Sequence, residues 1–181
     1  MKAHLYLFST QTTDSSALAA RCLRDYAEQY QIFLSDLTLL RTPQGKPYLE
    51  GDRLFLSISH TEQLWGCVVA PCPVGLDLQA PRPVAWESIA RRFFTSEEQC
   101  FLQDHPDQFF ALWTAKEAFA KLNGRGLGMG LSTFSTAGSA GFHSNIQGCP
   151  VLHFLLPGEV SGCIVSQDSL ELYIEPIKNR L

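Results

Sequence analysis

The chain predicts an α+β fold, and three observations carry that expectation. Short apolar runs bounded by turn residues read as strands. Longer stretches with apolar residues at helical spacing, some with cap residues, read as helices. Two of the strand candidates also echo each other. Trp65–Ala70 (WGCVVA) resembles Ser161–Ser166 (SGCIVS) at an offset of 96 positions, and another strand candidate follows each. Taken alone, the echo is either chance similarity between two apolar strands or the trace of two related halves.

In chain order, residues 3–9 (AHLYLFS) alternate and read as a strand. Residues 15–34 read as a helix with Asp14 or Ser15 as N-cap, its apolar face formed by Leu18, Leu23, Tyr26, Ala27 and Tyr30. Thr42–Pro47 (TPQGKP) is a turn. Leu54–Ser59, Trp65–Ala70 and Val74–Leu78 are three strand candidates. Helices follow near 85–93, 96–103 and 107–122, then a glycine-rich loop over 124–130. Strand candidates at 150–156, 161–166 and 169–175 close the chain. The Pro-rich stretch Ala80–Val84 (APRPV) is the best internal boundary, dividing an N-terminal half, 1–80, from a C-terminal half, 81–181. No obvious linker separates them, so the expectation is two lobes packed as one unit with the active site between them.

Of the 181 residues, 45% are hydrophobic, enough for one sizeable core or two small halves sharing one. Charged residues make up 18%, and the net charge is −4. With no Lys/Arg run, nucleic acid is not an expected partner. The six cysteines form no C-x-x-C pair and no zinc-finger spacing with His, so they read as reduced thiols. The opening MKAHLYLFST lacks the length and cleavage pattern of a signal peptide, and no stretch has the roughly 18 apolar residues of a membrane span. A cytoplasmic location is expected.

Four places could carry chemistry, and each also has an ordinary reading. Asp77 is an acid inside an apolar run, which is costly to bury unpartnered; it could equally be a strand-end Asp bonded to a turn. Glu117 and Lys121 lie four apart on a helix, with Trp113 one turn earlier, which by itself describes a surface ion pair. Lys116 has no such partner and reads as solvated or as a phosphate contact. Ser57-Ile58-Ser59-His60 leaves a strand with groups able to donate to phosphate. Adjacent strand residues face opposite ways, which argues against a Ser–His dyad. Lys46, in the Gly45-Lys46-Pro47 turn, is a phosphate ligand or a polar turn residue. The 124–130 loop has neither nucleotide-binding fingerprint and follows a helix, so it reads as a connection.

The order of these pieces is more specific than any one of them. Gly45-Lys46-Pro47, Ser57-Ile58-Ser59-His60, Val74-Gly75-Leu76-Asp77-Leu78, Arg91-Arg92-Phe93-Phe94-Thr95-Ser96-Glu97-Glu98 and Trp113-Thr114-Ala115-Lys116-Glu117-Ala118-Phe119-Ala120-Lys121 follow one another. This set resembles the 4′-phosphopantetheinyl transferase superfamily, in its larger surfactin-type branch, over about residues 42–131. The resemblance implies a pseudodimer of two similar α+β halves able to act as a monomer. It implies transfer of phosphopantetheine from coenzyme A to a serine of an apo carrier protein, with Mg²⁺ and release of 3′,5′-ADP. Carried over position by position, Asp77 and Glu117 are the metal ligands. Glu117 is also a candidate to take the serine proton, and Lys121 offsets charge on the diphosphate. Lys46, Ser59, His60 and Lys121 contact coenzyme A, and Glu98 is an acid near the metal. Arg24 and Ser16 match less well as phosphate contacts. A carrier surface is expected near Phe93–Phe94 or the 124–130 loop.

Two departures stand out. Gln79 occupies the place of a third metal-site Glu in many relatives, which predicts a weaker metal site. The stretch before the first helix is short, only QTTDSS, which shifts coenzyme A binding toward Lys46, His60 and Arg residues of that helix. Two rivals remain at this stage: a non-catalytic module that binds coenzyme A or a carrier, and another metal-dependent phosphoryl enzyme.

Overall fold

Two four-stranded sheets pack face to face, each with a helix against its outer side. The structure is a computed structural model that describes residues 1–9, 14–34, 36–51 and 53–177, without the side chain of Leu127. Its strands are β1 (Lys2–Ser9), β2 (Leu39–Arg41), β3 (Pro47–Leu49), β4 (Phe55–His60), β5 (Leu64–Ala70), β6 (Val74–Gln79), β7 (Ala137–Gly138), β8 (Gly141–Phe142), β9 (Asn145–Ile146), β10 (Cys149–Leu156), β11 (Val160–Ser166) and β12 (Glu171–Ile174). Its helices are α1 (Ser15–Gln29), α2 (Trp86–Phe93), α3 (Ser96–Asp104) and α4 (Phe109–Asn123). One sheet has the order β12-β1-β5-β4 and the other β6-β11-β10-β9. The α+β class expected from the sequence is the class observed.

Strand periodicity explains the layering. In β1, Ala3, Leu5 and Leu7 enter the core between the sheets, while Tyr6 and Phe8 face α1. In β5, Val68 and Ala70 go to the shared core, and Trp65, Cys67 and Val69 go to the α1 side. In β11, Ile164 goes to the shared core, and Cys163 and Val165 pack with α4. Strands apolar on both faces are what a layered sandwich requires, because each sheet is covered on both sides.

The echo noted in the sequence falls in matching register. Gly66 and Cys67 of β5 pair with Leu7 and Tyr6 of β1, and Gly162 and Cys163 of β11 pair with Leu78 and Asp77 of β6. Both pairings are antiparallel, and each central strand has a further antiparallel neighbour, β4 or β10. β6 precedes residue 80, yet it is hydrogen-bonded into the second sheet.

Helix α1 ends at Gln29, short of the expected 34. Gln31 takes a positive φ of 54°, its N–H bonds the Glu28 carbonyl, and Ile32 N–H bonds the Ala27 carbonyl at 2.8 Å. This is the Schellman closure, made here by glutamine where glycine is usual. The expected turn at 42–47 joins β2 to β3, a short hairpin absent from the sequence reading. Part of the expected 124–130 loop, Gly126–Met129, is a 3₁₀ turn. All six cysteines are free, and four of them are buried. Among the described residues no helix is long and apolar enough to cross a membrane.

Candidate active site at the junction of the two sheets

The site forms where β4, an edge of the first sheet, meets β6, an edge of the second. An unpaired strand edge leaves backbone N–H groups to satisfy. Two serines do this across the junction. Ser57 Oγ accepts from Leu76 N–H at 3.0 Å, and Ser59 Oγ accepts from Leu78 N–H at 3.1 Å. Residues 57 and 59 share one face of β4, so both hydroxyls reach β6. His60, one position on, is exposed at the strand end.

Helix α4 crosses β6 at very short range. A Cβ on Gly75 would overlap the Ala118 carbonyl oxygen and come within 2.6 Å of Leu122 N. Only glycine permits this approach, and the approach sets the site. From Leu112 to Ala120 every residue of α4 is buried except Trp113 and Glu117. Lys121, half-buried, continues that strip one turn later. The spacing that suggested a surface ion pair is thus the one open strip of a buried helix, facing Asp77.

Asp77 is nearly fully buried and fully engaged. Its Oδ1 accepts from Lys121 Nζ at 2.7 Å and from Ser59 Oγ at 3.0 Å. Its Oδ2 accepts from Gln79 Nε2 at 2.9 Å. Lys121 Nζ also donates to Ser59 Oγ at 3.1 Å and to the Ile58 carbonyl at 3.4 Å. The Ser59 hydroxyl, with one donor and two acceptor positions, is therefore filled by Asp77, Leu78 N–H and Lys121. Its position makes it a support for the acid.

Glu117 is half-buried, and no donor among the described residues reaches its carboxylate. Burial pushes its pKa up, the Asp77 charge pushes it further, and Lys121 partly offsets both. Two carboxylates that repel each other, one of them without a donor, form a set that a hard cation would complete. Among the described residues no group of three or more His, Cys, Asp or Glu could hold a metal. A pair is still adequate for Mg²⁺, which commonly keeps waters and takes substrate phosphate oxygens beside one or two carboxylates.

A cleft of about 220 Å³ opens beside this centre, lined in part by Gly45, Lys46, Ser57, Lys121 and Gly124. Lys46 Nζ donates to the Leu122 carbonyl at 3.1 Å and to the Val74 carbonyl at 3.4 Å. Burial lowers its pKa to about 8. The 42–47 turn thus places a second ammonium on the wall that Lys121 shares.

Other expected residues lie elsewhere. Lys116 is neither solvated nor a phosphate contact. Its ammonium is fully buried, pairs with Glu98 Oε2 at 2.8 Å and donates to the Leu131 and Phe134 carbonyls, both at 2.7 Å. Burial lowers its pKa, with Glu98 opposing. The Glu98 oxygens are filled by Lys116, by Thr136 N–H and hydroxyl, and by Thr95 N–H and hydroxyl in a capping box at the start of α3. That carboxylate is spent on structure and has no lone pair directed to a metal. Phe94 is buried against Phe109 and Trp113, so of the pair Phe93–Phe94 only Phe93 has exposure to offer a partner. Arg24 is exposed in a separate groove with Ala27, Glu28 and Ile32.

Two arginines escaped the sequence reading. Arg41 donates to the Gly45 carbonyl at 3.0 Å and to Ser16 Oγ at 3.4 Å, joining the Lys46 turn to the first turn of α1. Arg82 donates to Gln79 Oε1 at 2.9 Å. For Arg41 the available signal was its place beside the glycine turn. For Arg82 it was a cation held between Pro81 and Pro83 three residues after Gln79.

The chain is similar in sequence to known proteins across this region. A sequence model described as the 4′-phosphopantetheinyl transferase superfamily matches residues 73–154. The chain is 34% identical over 116 residues to 4′-phosphopantetheinyl transferase Sfp of Bacillus subtilis (strain 168), covering 60% of this chain and 51% of that protein. It is 30% identical over 150 residues to 4′-phosphopantetheinyl transferase psf-1 of Bacillus pumilus, covering 80% of this chain and 60% of that protein. It is 40% identical over 96 residues to 4′-phosphopantetheinyl transferase HetI of Nostoc sp. (strain PCC 7120 / SAG 25.82 / UTEX 2576), covering 46% of this chain and 40% of that protein. The chain thus spans about half the length of the curated relatives it matches. Residues 73–154, which hold Asp77, Glu117 and Lys121 gathered at one junction, match the 4′-phosphopantetheinyl transferase superfamily, and the chain is similar to the transferases Sfp and psf-1 over 51% and 60% of their length.

Proposed function

We propose that the chain transfers 4′-phosphopantetheine from coenzyme A to a serine hydroxyl of an apo carrier protein, releasing 3′,5′-ADP. The observation that carries this proposal is the meeting of Asp77, Glu117 and Lys121 beside a cleft that Lys46 also lines. The names of the relatives support it.

In this reading the serine oxygen attacks the diphosphate of coenzyme A, a bond forms to phosphorus, and the bond to 3′,5′-ADP breaks. Negative charge shifts toward the leaving oxygen, so fixed cations and exclusion of water provide most of the assistance. Asp77 and Glu117 would hold Mg²⁺, which supplies a Lewis acid for the diphosphate oxygens when bound. Lys121, already held at Asp77, offsets charge on the diphosphate. Lys46 and the exposed His60 offer donors to coenzyme A phosphates. Ser59 acts one step back, by fixing Asp77 and Lys121. Glu117, which no donor among the described residues reaches, is the group assigned to take the serine proton.

The same proposal includes two related halves meeting at the β4–β6 junction, action as a monomer, and a cytoplasmic location. Its support is the matched register of β1–β5 and β6–β11.

The test is to incubate the protein with apo carrier protein, coenzyme A and Mg²⁺ and weigh the carrier. A gain of one phosphopantetheinyl group is expected. Binding of carrier or coenzyme A without a gain would replace the proposal with a non-catalytic module. Nucleotide release independent of carrier would replace it with another phosphoryl enzyme. Glu117→Ala should lower transfer by about a hundredfold or more, with the circular dichroism spectrum unchanged. Near-parental turnover would overturn the assignment of this residue.

A further inference from the structure

Gln79 sits between a cation and an acid. Its Oε1 accepts from Arg82 Nη1 at 2.9 Å, and its Nε2 donates to Asp77 Oδ2 at 2.9 Å. A guanidinium can only donate and an ionised carboxylate can only accept. An amide bridging the two has one orientation that satisfies both, with oxygen toward Arg82 and nitrogen toward Asp77. Arg82 is itself restrained. It lies between Pro81 and Pro83, whose rings fix φ on either side, and its guanidinium is 5.4 Å from the centroid of the Phe110 ring in the first turn of α4.

We propose that Arg82 is a positioning residue: by holding the Gln79 oxygen it keeps the amide nitrogen on Asp77 and turns that oxygen away from the acidic pair. The inference rests on Asp77 and Glu117 being the metal ligands. It assigns Gln79 a role as a hydrogen-bond donor to a ligand. The residue is then a support for Asp77 and leaves the metal with two protein carboxylates. It also gives the exposed Arg82 a function that its surface location hides. With the guanidinium removed, Gln79 is free to rotate, its oxygen can face the metal, and Asp77 loses a competing donor. Both changes favour the cation.

The test is Mn²⁺ binding to the full chain, followed by electron paramagnetic resonance, for the parent, Arg82→Ala, Gln79→Ala and the double variant. Arg82 is exposed, so its loss leaves the core intact. The expected result is Mn²⁺ binding about fivefold tighter in Arg82→Ala, the size of one net hydrogen bond. Placed in the Gln79→Ala background, the same substitution should shift affinity by less than about twofold. An equal shift in both backgrounds would show that Arg82 acts by charge alone and would overturn the proposal. So would no shift in either. Asp77→Asn identifies a failure of the underlying metal site. If parental Mn²⁺ binding is unaffected by that change, the metal-site reading falls and the role of Arg82 with it. If binding depends on Asp77 but not on Gln79, only the role of Arg82 falls.

Discussion

Tyr6 and Asp77 hold corresponding places in the two sheets, and their surroundings differ completely. Each lies on a first strand, opposite a cysteine of a central strand, Cys67 or Cys163. Each faces an outer helix. Two residues earlier stand His4 and Gly75. The His4 ring fills the space beneath α1. It bonds the Tyr30 hydroxyl through Nε2 and Glu175 through Nδ1, each at 2.7 Å, and stacks on Tyr173 with centroids 5.1 Å apart. Helix α1 therefore rests on rings, and that side of the molecule is aromatic core. Gly75 fills nothing, so the backbone of α4 descends onto β6. Lys121 then reaches Asp77 at 2.7 Å, and Glu117 feels the Asp77 charge. The same strand pairing thus gives packing on one side and a polar centre on the other. What decides is how closely the helix can approach the strand.

The largest way to break this contrast acts on how α4 is fastened. Helix α1 is held by its rings and by the Asp14 cap, whereas α4 is pinned from its far side by the buried Lys116–Glu98 pair. Lys116→Met would leave the Glu98 carboxylate buried without its cation, at a cost of about 3–5 kcal/mol. For a chain of this size that lowers Tm by about 6–20 °C. Adding Glu98→Gln to the same chain should restore a large part of the loss, because the uncompensated charge is gone. A Lys116→Met variant as stable as the parent would show that the pair does not fasten the helix.

A smaller effect sharpens the contrast at its source. Gly75→Ala adds one methyl group where α4 and β6 touch through backbone, so the helix must lift. Overpacking of this kind costs about 1–3 kcal/mol. The denaturation midpoint should fall accordingly, and Asp77-dependent Mn²⁺ binding should weaken with it. An unchanged midpoint would mean that the close crossing contributes nothing.

Such effects show which features the sequence could and could not reveal. A strand apolar on both faces, such as Trp65–Ala70, was readable because a covered sheet demands that composition. Three other features were hidden, each for its own reason. The end of α1 rests on Gln31 at positive φ, and nothing in a glutamine marks that conformation. The hairpin of β2 and β3 runs through Pro47, a residue that argues against strand. Lys116 carries the most instructive lesson. It falls at i+4 from Leu112 and i−3 from Phe119, squarely on the apolar stripe, so the helical period itself signalled burial. Its partner Glu98 lies in another helix, and charge alone suggested a surface position. At the site, Asp77 and Lys121 are 44 residues apart, and only the order of motifs joined them. The supporting roles of Ser59 and Arg82 depend on which atoms face which, and spacing along the chain does not carry that information.

The smallest expected effect concerns Lys46, the cation of the polar region that is held by carbonyls alone among the described residues. Burial lowers its pKa from 10.5 to about 8. The sign follows from proton counts. Between pH 8 and 10.5 the unfolded chain holds this proton and the folded chain does not, so stability rises with pH across that window. Below pH 8 both states are protonated, and the full penalty of burying the charge is present. Coenzyme A binding should show the opposite slope, because the proposed phosphate contact needs the ammonium. Calorimetric affinity for coenzyme A should therefore weaken by several-fold between about pH 7 and 9.5. Lys46→Met should bind more weakly at pH 7 and show a flat profile from this contribution, even though the thiol of coenzyme A and other groups titrate nearby. An identical slope in parent and variant would remove Lys46 from the binding wall. It would leave this lysine, like His4 in the first sheet, as a group that only holds two elements together.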